Sequence, residues 1–236
     1  MNAMTSLSEY TSAVFDWFFP SFCTQCQTPI KASQGICDCC LNDLPLLDLS
    51  RQANLLHRPD IVEFFPDCQF DHLIACAWYR APFDHWLSQL KFSNQIFYKK
   101  ALQQVIKQQL TVSKACCEQW PELFIILPLH NKRFLQRGYN QVAQTWAACL
   151  PTDEINLNYL QRHKRTKAQS SLTKAKRIKN LKGAFVYKAD LTGKTVAIVD
   201  DVMTTGATLN AATVALKEAG AEQVWAFVTC LTPLGR

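Results

Sequence analysis

The sequence predicts an α/β protein with a parallel sheet flanked by helices, preceded by a small cysteine-rich module. From residue 71 onward, short apolar runs alternate with amphipathic segments, and these runs lack the polar alternation of a half-exposed sheet. The 236 residues are 48% hydrophobic, which is enough to fill one large core. Two matched cysteine pairs lie near the N-terminus and define the module.

Composition and patterning exclude several classes of protein. A core of this size argues against intrinsic disorder and collagen-like structure. No apolar run approaches the roughly 20 residues that span a bilayer, so we expect no transmembrane segment. The aromatic N-terminus lacks a basic leader and carries Glu9 and Asp16, so it does not resemble a signal peptide. Eleven cysteines without an export signal therefore predict reduced thiols and a cytoplasmic location.

Hydrophobic periodicity predicts the order of the elements along the chain. Strands are expected over residues 71–79, 123–129, 184–187, 195–202 and 223–231, and helices over residues 82–92, 98–110, 139–150 and 207–219. We divide the chain into residues 1–50, an aromatic helix with the cysteine module, residues 51–70, a linker containing prolines, and residues 71–236, the α/β domain.

The cysteine module has the spacing of a metal site. Its ligands would be Cys23, Cys26, Cys37 and Cys40, which form two pairs, each separated by two residues. This spacing suits tetrahedral zinc, and four thiolates leave no open position for water. The pattern therefore predicts structural zinc, with Cys39 as a spare thiol.

The positive charge of the chain is concentrated in one segment. Residues 161–182 contain nine Lys and Arg and no acid, while the remainder has sixteen bases against nineteen acids. Such a segment predicts a phosphate-bearing partner, either a small ligand or a nucleic acid backbone. The alternative is a solvated basic loop or helix without a ligand.

Residues 196–208 carry the strongest chemical signal. An apolar strand ends in Asp200 and Asp201, and Gly206 lies in a bend that opens the next helix. Backbone N–H groups at such a bend bind anions, and carboxylates bind sugar hydroxyls. The combination predicts a site for a 5-phosphorylated ribose. The alternative is two incidental acids before a helix, which we disfavour because buried carboxylates without partners are costly.

This stretch resembles the phosphoribosyl pyrophosphate (PRPP) signature of type I phosphoribosyltransferases. The cysteine module and further motifs narrow the resemblance to the ComF family, also called competence protein F or GntX-type proteins. These motifs are Tyr79-Arg80-Ala-Pro82, Leu90-Lys91-Phe92, Pro128-Leu-His-x2-Arg133-x3-Arg137-Gly-Tyr-Asn-Gln141 and Arg165-Thr-x2-Gln169. One departure is Gln27, at a position where zinc ribbons often have glycine.

The resemblance implies a type I phosphoribosyltransferase-like fold and a set of site residues. Asp200 and Asp201 would contact the ribose hydroxyls and, with Arg137, form the catalytic set. The 5-phosphate would be held by Thr204, Thr205, Gly206, Ala207 and Thr208, and the pyrophosphate by the loop containing Lys132, Arg133, Arg137 and Gly138. Mg²⁺ would accompany PRPP.

The family also implies a role in natural competence, the handling of internalised single-stranded DNA. The basic segment would be a lid over the PRPP site, a DNA surface, or both; its DNA-binding candidates are Arg165, Lys167, Lys174, Lys176, Arg177 and Lys179. Lys91, Lys99 and Lys100 could extend that surface, and Trp86 or Tyr98 could stack on bases unless they are core residues.

Several alternatives for the function stay open. Phosphoribosyl transfer to an unknown acceptor is one. A DNA-binding protein or scaffold that retains PRPP binding without turnover is a second, and use of DNA as a nutrient is a third. DNA-uptake or recombination proteins are further candidate partners, for which the aromatic N-terminal helix could be a docking surface.

Overall fold

The computed structural model describes residues 21–92, 97–129, 138–162 and 183–232. The strands are β1 (Ser21–Phe22), β2 (Pro29–Ile30), β3 (His72–Trp78), β4 (Leu123–Ile126), β5 (Ile155–Asn156), β6 (Leu160–Arg162), β7 (Phe185–Tyr187), β8 (Thr195–Met203) and β9 (Gln223–Leu231). The helices are α1 (Asp38–Asn42), α2 (Pro59–Val62), α3 (Phe83–Phe92), α4 (Phe97–Ala115), α5 (Gln141–Trp146) and α6 (Ala207–Glu218).

A parallel five-stranded sheet in the order β3-β9-β8-β4-β5 forms the centre of the molecule. The chain runs from β3 to β4 and β5 in one direction across this sheet, and from β8 to β9 in the opposite direction. Because crossover connections between parallel strands are right-handed, this reversal places α6 on the face opposite α3, α4 and α5. The predicted α/β fold with helices on both faces is confirmed.

Strands β8 and β9, at the centre of the sheet, are largely buried. Residues 196–199 of β8 are completely buried, as expected for a β-branched run covered on both sides. On the face of α5, Phe227 packs edge-on against Phe124 and Trp146, at ring-centroid distances of 5.6 and 6.2 Å. The Trp146 indole N–H donates to Thr229 Oγ1 at 3.0 Å, which ties α5 to β9.

Several predicted element boundaries differ from the structure. The helix expected over residues 98–110 continues to Ala115, whereas the one expected over residues 139–150 is α-helical only from Gln141 to Trp146 and ends in a 3₁₀ turn. The strand predicted at residues 184–187 forms β7, which pairs antiparallel with β6 in a separate two-stranded sheet. The short strands β1, β2, β5 and β6 were missed because two or three residues carry no periodicity.

Two aromatic residues that we considered for base stacking are core residues. Trp86 and Tyr98 are buried, and their rings lie 6.3 Å apart between α3 and α4. The Tyr98 hydroxyl is hydrogen-bonded to His85 Nε2 at 2.9 Å. They therefore offer no face to a nucleic acid base, and the packing alternative is correct.

Residues 51–70 pack against the sheet. Leu55 and Ile61 are completely buried. Asn54 Oδ1 accepts hydrogen bonds from the N–H groups of Leu56 and Leu73, both at 3.1 Å, so this segment is anchored to the start of β3. The division of the chain at residues 50 and 70 stays a prediction.

The cysteine module docks on α4 through polar contacts. The N–H groups of Gly35 and Ile36 donate to Gln104 Oε1 at 2.6 and 2.9 Å, and Gln104 Nε2 donates back to the Ile36 carbonyl at 3.1 Å. Lys100 Nζ donates to the Ala32 carbonyl. Beyond the module, the Leu47 N–H donates to the Cys76 carbonyl at 2.9 Å, so the chain also covers the free edge of β3.

The aromatic segment predicted as a helix lies within residues 1–20, outside the described residues. Across the parts of the chain that the structure describes, no helix combines the length and apolarity needed to cross a membrane.

We predict that Gly35→Ala will detach the cysteine module from α4. A Cβ at Gly35 would lie 2.2 Å from the Ala101 backbone nitrogen, and backbone atoms cannot move aside as a flexible side chain can. We expect a loss of about 3 kcal/mol in unfolding free energy, measured by chemical denaturation. The matched control is Gly193→Ala, whose Cβ meets nothing within 4 Å and which costs only about 1 kcal/mol for its positive φ. Equal losses in the two variants would contradict close docking at Gly35.

Candidate functional site

The bend after β8 has the geometry of an anion-binding turn. β8 ends at Met203, and α6 begins at Ala207 with Gly206 as its N-cap at φ 70°. A Cβ at Gly206 would approach Met203 no closer than 3.9 Å, so glycine is required here by the backbone conformation and not by space. The 12-residue helix directs its first N–H groups and the positive end of its dipole toward the bend.

The bend lies at the surface, as a ligand site requires. Thr204 is exposed and Thr205 is partly exposed, while Ala207 behind them is buried. Thr205 Oγ1 accepts a long hydrogen bond from the Ala207 N–H at 3.4 Å. Hydroxyls and N–H groups therefore occur together at the start of α6, which is the chemistry predicted for holding a phosphate.

Asp200 and Asp201 point to opposite faces of the sheet, because successive side chains of a strand alternate. Phe227, which is registered with Val199, packs against Trp146 of α5, so Asp201 lies on the α5 face. Asp200 lies on the α6 face, the face onto which the bend turns. Asp201 is only 8% exposed, whereas Asp200 is partly exposed. That both acids contact a ribose stays a prediction.

Asp201 is held by two donors. Lys91 Nζ lies 2.7 Å from Asp201 Oδ2, and Gln141 Nε2 donates to the same oxygen at 3.1 Å. Burial opposes ionisation of Asp201, but the Lys91 ammonium and the Gln141 amide outweigh it and lower the pKa of this carboxyl. Burial, together with the neighbouring Asp201 charge, raises the pKa of Asp200.

Three consecutive side chains before and at the start of α5 connect three elements at this edge of the sheet. The Tyr139 hydroxyl donates to the carbonyl of Leu90 in α3. Asn140 Nδ2 donates to the Leu127 carbonyl after β4 at 3.0 Å, and its Oδ1 caps α5. Gln141 reaches Asp201 of β8. We call Tyr139, Asn140 and Gln141 the clasp.

The contacts of Lys91 and Gln141 with Asp201 were not predicted from the sequence. Lys91 was expected on a DNA-tracking surface together with Lys99 and Lys100. Lys91 is instead shielded and ion-paired, whereas the expectation for Lys99 and Lys100 stays a prediction. Lys91 pairs with Asp201, Lys99 Nζ donates to Gln144 Oε1 at 2.8 Å, and Lys100 is bound to the cysteine module. A buried acid at a strand end signals a cationic partner, but nothing in the sequence says which lysine supplies it.

Other predicted site residues fall outside the described part of the chain. They are Lys132, Arg133 and Arg137 of the expected pyrophosphate loop, and Arg165, Lys167, Lys174, Lys176, Arg177 and Lys179 of the basic segment. Gly138, where the chain is described again, is exposed and has φ 76°. Residues 163–182 connect the antiparallel strands β6 and β7, and the Arg162 guanidinium lies 5.6 Å from the Phe185 ring centroid at their base.

The four predicted metal ligands converge in the N-terminal module. The Sγ atoms of Cys23, Cys26, Cys37 and Cys40 all lie within 4.8 Å of one another. Cys23 Sγ accepts long hydrogen bonds from the N–H groups of Gln25 and Cys37, both at 3.4 Å. Sulfurs arranged in this way, with backbone N–H groups facing them, could hold one tetrahedral zinc ion.

Packing of the four sulfurs makes their ionisation interdependent. The Thr28 hydroxyl, 3.1 Å from Cys26 Sγ, lowers the pKa of Cys26 to about 6. Neighbouring Cys26, followed by Cys37, raises the pKa of Cys40. A divalent cation at the centre would favour all four thiolates, so the donor set fits zinc. The turn after Cys26 places Gln27 at φ 61°, the conformation for which related turns use glycine.

Comparison with known proteins agrees with these features. The model of the phosphoribosyl transferase domain matches residues 137–236. Competence protein F of Haemophilus influenzae is 32% identical over 212 residues, covering 86% of this chain and 88% of that protein. DNA utilization protein YhgH of Escherichia coli K12 is 28% identical over 228 residues, covering 90% of this chain and 98% of that protein. Competence protein ComFC of Streptococcus pneumoniae is 26% identical over 155 residues, covering 65% of each chain.

The first relative is similar over most of both chains, so the similarity extends well beyond the matched domain. The domain match begins two residues before the clasp and contains all of β8, the bend and α6. The predicted resemblance is confirmed: this chain belongs to the competence protein F (ComF) family of phosphoribosyltransferase-like proteins.

Proposed function

We propose that this protein binds PRPP at the C-terminal end of β8 and acts in the uptake or use of DNA. The observation that carries the first part is the bend at Thr204–Gly206, which is exposed at Thr204 and in which a glycine at positive φ opens α6 close to Asp200 in the chain. Open parallel sheets bind ligands at this edge of their strands, and the phosphoribosyl transferase domain match supports the ligand class.

Each part of the site suits one part of PRPP. The N–H groups of the bend and the Thr204, Thr205 and Thr208 hydroxyls would hold the 5-phosphate, and Asp200 would accept hydrogen bonds from ribose hydroxyls. Lys132, Arg133 and Arg137 would face the pyrophosphate, because Arg and Lys neutralise its charge. Mg²⁺ bound with PRPP would neutralise part of the diphosphate charge.

The DNA part of the proposal rests on the relatives and on charge. Two relatives are named as competence proteins and one as a DNA utilization protein. The basic segment comprises residues 163–182 together with Gln161 and Arg162, and in the sequence it lies between the paired strands β6 and β7. We propose that it contacts single-stranded DNA, because a dense row of cations binds a phosphate backbone. DNA-uptake or recombination proteins are the proposed protein partners.

Whether PRPP is consumed is a separate question with two proposed answers. Transfer of the phosphoribosyl group to an acceptor would release pyrophosphate. A protein that binds DNA under the control of PRPP would release none. Measuring pyrophosphate with bases, nucleosides and amines as acceptors separates the two, and released pyrophosphate would identify an enzyme.

For the metal, we propose structural zinc bound by four thiolates, in a cytoplasmic protein whose thiols stay reduced. The Gln104 contacts place the metal module against α4, so the ion would stabilise the support of the sheet.

We predict that PRPP with Mg²⁺ raises the melting temperature by roughly 5 to 10 °C at a concentration near 100 times the dissociation constant. Asp200→Asn should abolish this shift, because it removes the carboxylate that faces the bend. Asp153→Asn, which makes the same charge change at an exposed position, should retain it. A parent protein with no shift would refute PRPP binding.

We predict that single-stranded DNA binds and that its affinity falls steeply with salt. Replacing Lys174, Lys176, Arg177 and Lys179 by Gln should reduce the slope of log affinity against log salt by about 3, since each phosphate contact contributes about 0.7. The control replaces the same number of exposed lysines elsewhere, Lys31, Lys107, Lys114 and Lys194. Unchanged binding in the first variant would limit the basic segment to a lid.

We predict that Cys37→Ser lowers the zinc content well below one ion per chain and exposes residues 21–50 to protease. Serine oxygen is a poor replacement for a thiolate ligand. Cys39→Ser is a matched control, because Cys39 is exposed and does not belong to the cluster of four sulfurs. Full zinc retention in Cys37→Ser would show that the ligand set is wrong.

A further inference from the structure

We propose that the outer face of the paired strands β6 and β7 is a base-stacking surface for single-stranded DNA, and that Tyr159 is the residue on which a base stacks. This inference rests on the proposed function and deepens it. It assigns the contact with the bases to described residues of the fold and leaves the phosphate backbone to the basic segment. It follows from the faces of the two strands, from the support of Tyr159 and from the charge of the surrounding sequence.

The pair of strands has one buried face and one exposed face. Leu160 of β6 is registered with Tyr187 of β7, and both side chains are buried in the core together with Phe185. Val186, between the last two, is exposed. Because successive side chains of a strand point to opposite faces, Val186 marks the outer face of the pair.

Exposed apolar side chains are concentrated around this outer face. Leu157 and Tyr159 lie just before β6, and both are about half exposed, as is Val186. Among the described residues, seven large hydrophobic side chains are exposed, and three of them are these. Single exposed apolar residues are ordinary, but a group of them indicates a surface that contacts a partner.

Tyr159 is held in place before any ligand binds. Asn156 Oδ1 accepts hydrogen bonds from the N–H groups of Asn158 and Tyr159 at 3.1 and 3.0 Å. The Tyr159 carbonyl accepts from the Lys188 N–H at 3.1 Å, and its ring centroid lies 6.0 Å from that of Tyr187. An aromatic ring supported in this way loses little conformational freedom when a base stacks on it.

The charge around this face identifies the kind of partner. Residues 155–189 contain ten Lys and Arg, nine in the basic segment and Lys188, and no Asp or Glu. Lys188 is exposed and lies across from Tyr159 in the strand pair. A partner therefore needs negative charge next to flat apolar groups. Single-stranded DNA offers both, whereas duplex DNA keeps its bases stacked on one another.

A second copy of this chain fits the same face less well. Two copies docked through this face would bring two basic segments together, and like charges facing each other across an interface are unfavourable. Three exposed apolar side chains also cover far less than the roughly 800 Å² that each partner buries in a stable interface. The observations therefore favour a polyanion over self-association.

The test compares the parent and Tyr159→Ala for affinity toward oligo(dT), an abasic strand of the same length and duplex DNA over a range of salt concentrations. We expect Tyr159→Ala to bind oligo(dT) roughly 5- to 150-fold more weakly. Its slope of log affinity against log salt should equal that of the parent, because a phenol ring neutralises no phosphate. Its affinities for the abasic strand and for the duplex should be unchanged.

Two further variants serve as controls. Tyr159→Phe should bind oligo(dT) within about threefold of the parent, since phenylalanine retains the aromatic ring. Phe22→Ala removes an aromatic ring of similar exposure from the cysteine module and should bind as the parent does. Unchanged binding of the abasic strand by Tyr159→Ala also shows, within the same variant, that the protein is folded.

Three outcomes would overturn this inference. Affinity of Tyr159→Ala for oligo(dT) equal to that of the parent would show that no base stacks on this ring. An equal loss of affinity for the abasic strand would show that Tyr159 does not act on a base. A dimeric parent and a monomeric Tyr159→Ala variant in light scattering would make the face a contact between copies.

Failure of the proposed function gives a different result. If the parent itself binds no single-stranded DNA, the DNA part of the proposed function is refuted and this inference with it. If the parent binds and only the effect of Tyr159→Ala is missing, the stacking surface alone is refuted.

Discussion

The ion pair between Lys91 and Asp201 is the constraint around which the ligand edge of the sheet is arranged. An acid near the end of a buried strand cannot remain charged without a partner, and here the partner comes from a helix far away in the sequence. To supply it, the last turn of α3 must reach β8. The three consecutive side chains of the clasp also contact α3, the end of β4 and β8. The ends of these three elements are therefore held together around the ion pair.

Helix α4 is the second organising element, because it supports the sheet and the cysteine module at the same time. Val105 and Ile106 are completely buried in the core, and Gln109 Nε2 donates to the carbonyls of Leu47 and Cys76 at 2.8 and 3.0 Å. Nearer its N-terminal end, Gln104 binds the module. The module and the sheet are therefore packed on one helix, and a metal bound by the four sulfurs would stabilise more than its own loop.

The candidate site consists of a packed frame and of two basic segments connected to it. Strand β8, the bend and α6 form a packed frame, in which Gly206 and the first turn of the helix set where an anion can bind. The cations expected to face the pyrophosphate and the DNA lie in the two segments that leave this frame, between β4 and α5 and between β6 and β7. As proposed, such a site would recognise phosphate through the backbone geometry of the bend and gain affinity from the positive charge of these segments.

The sequence by itself determined the α/β class, the strand–bend–helix at residues 195–219 and the membership of the four-cysteine cluster, because each depends on local periodicity or spacing. It also indicated that the paired acids need compensation. Tertiary structure alone decided which lysine compensates Asp201, which acid faces the bend, and that Trp86 and Tyr98 belong to the core. These outcomes depend on which face of the sheet each helix covers and on contacts between residues up to 110 positions apart, such as Lys91 with Asp201. Strand order and the handedness of crossovers set those contacts, and neither is encoded in any short stretch of sequence.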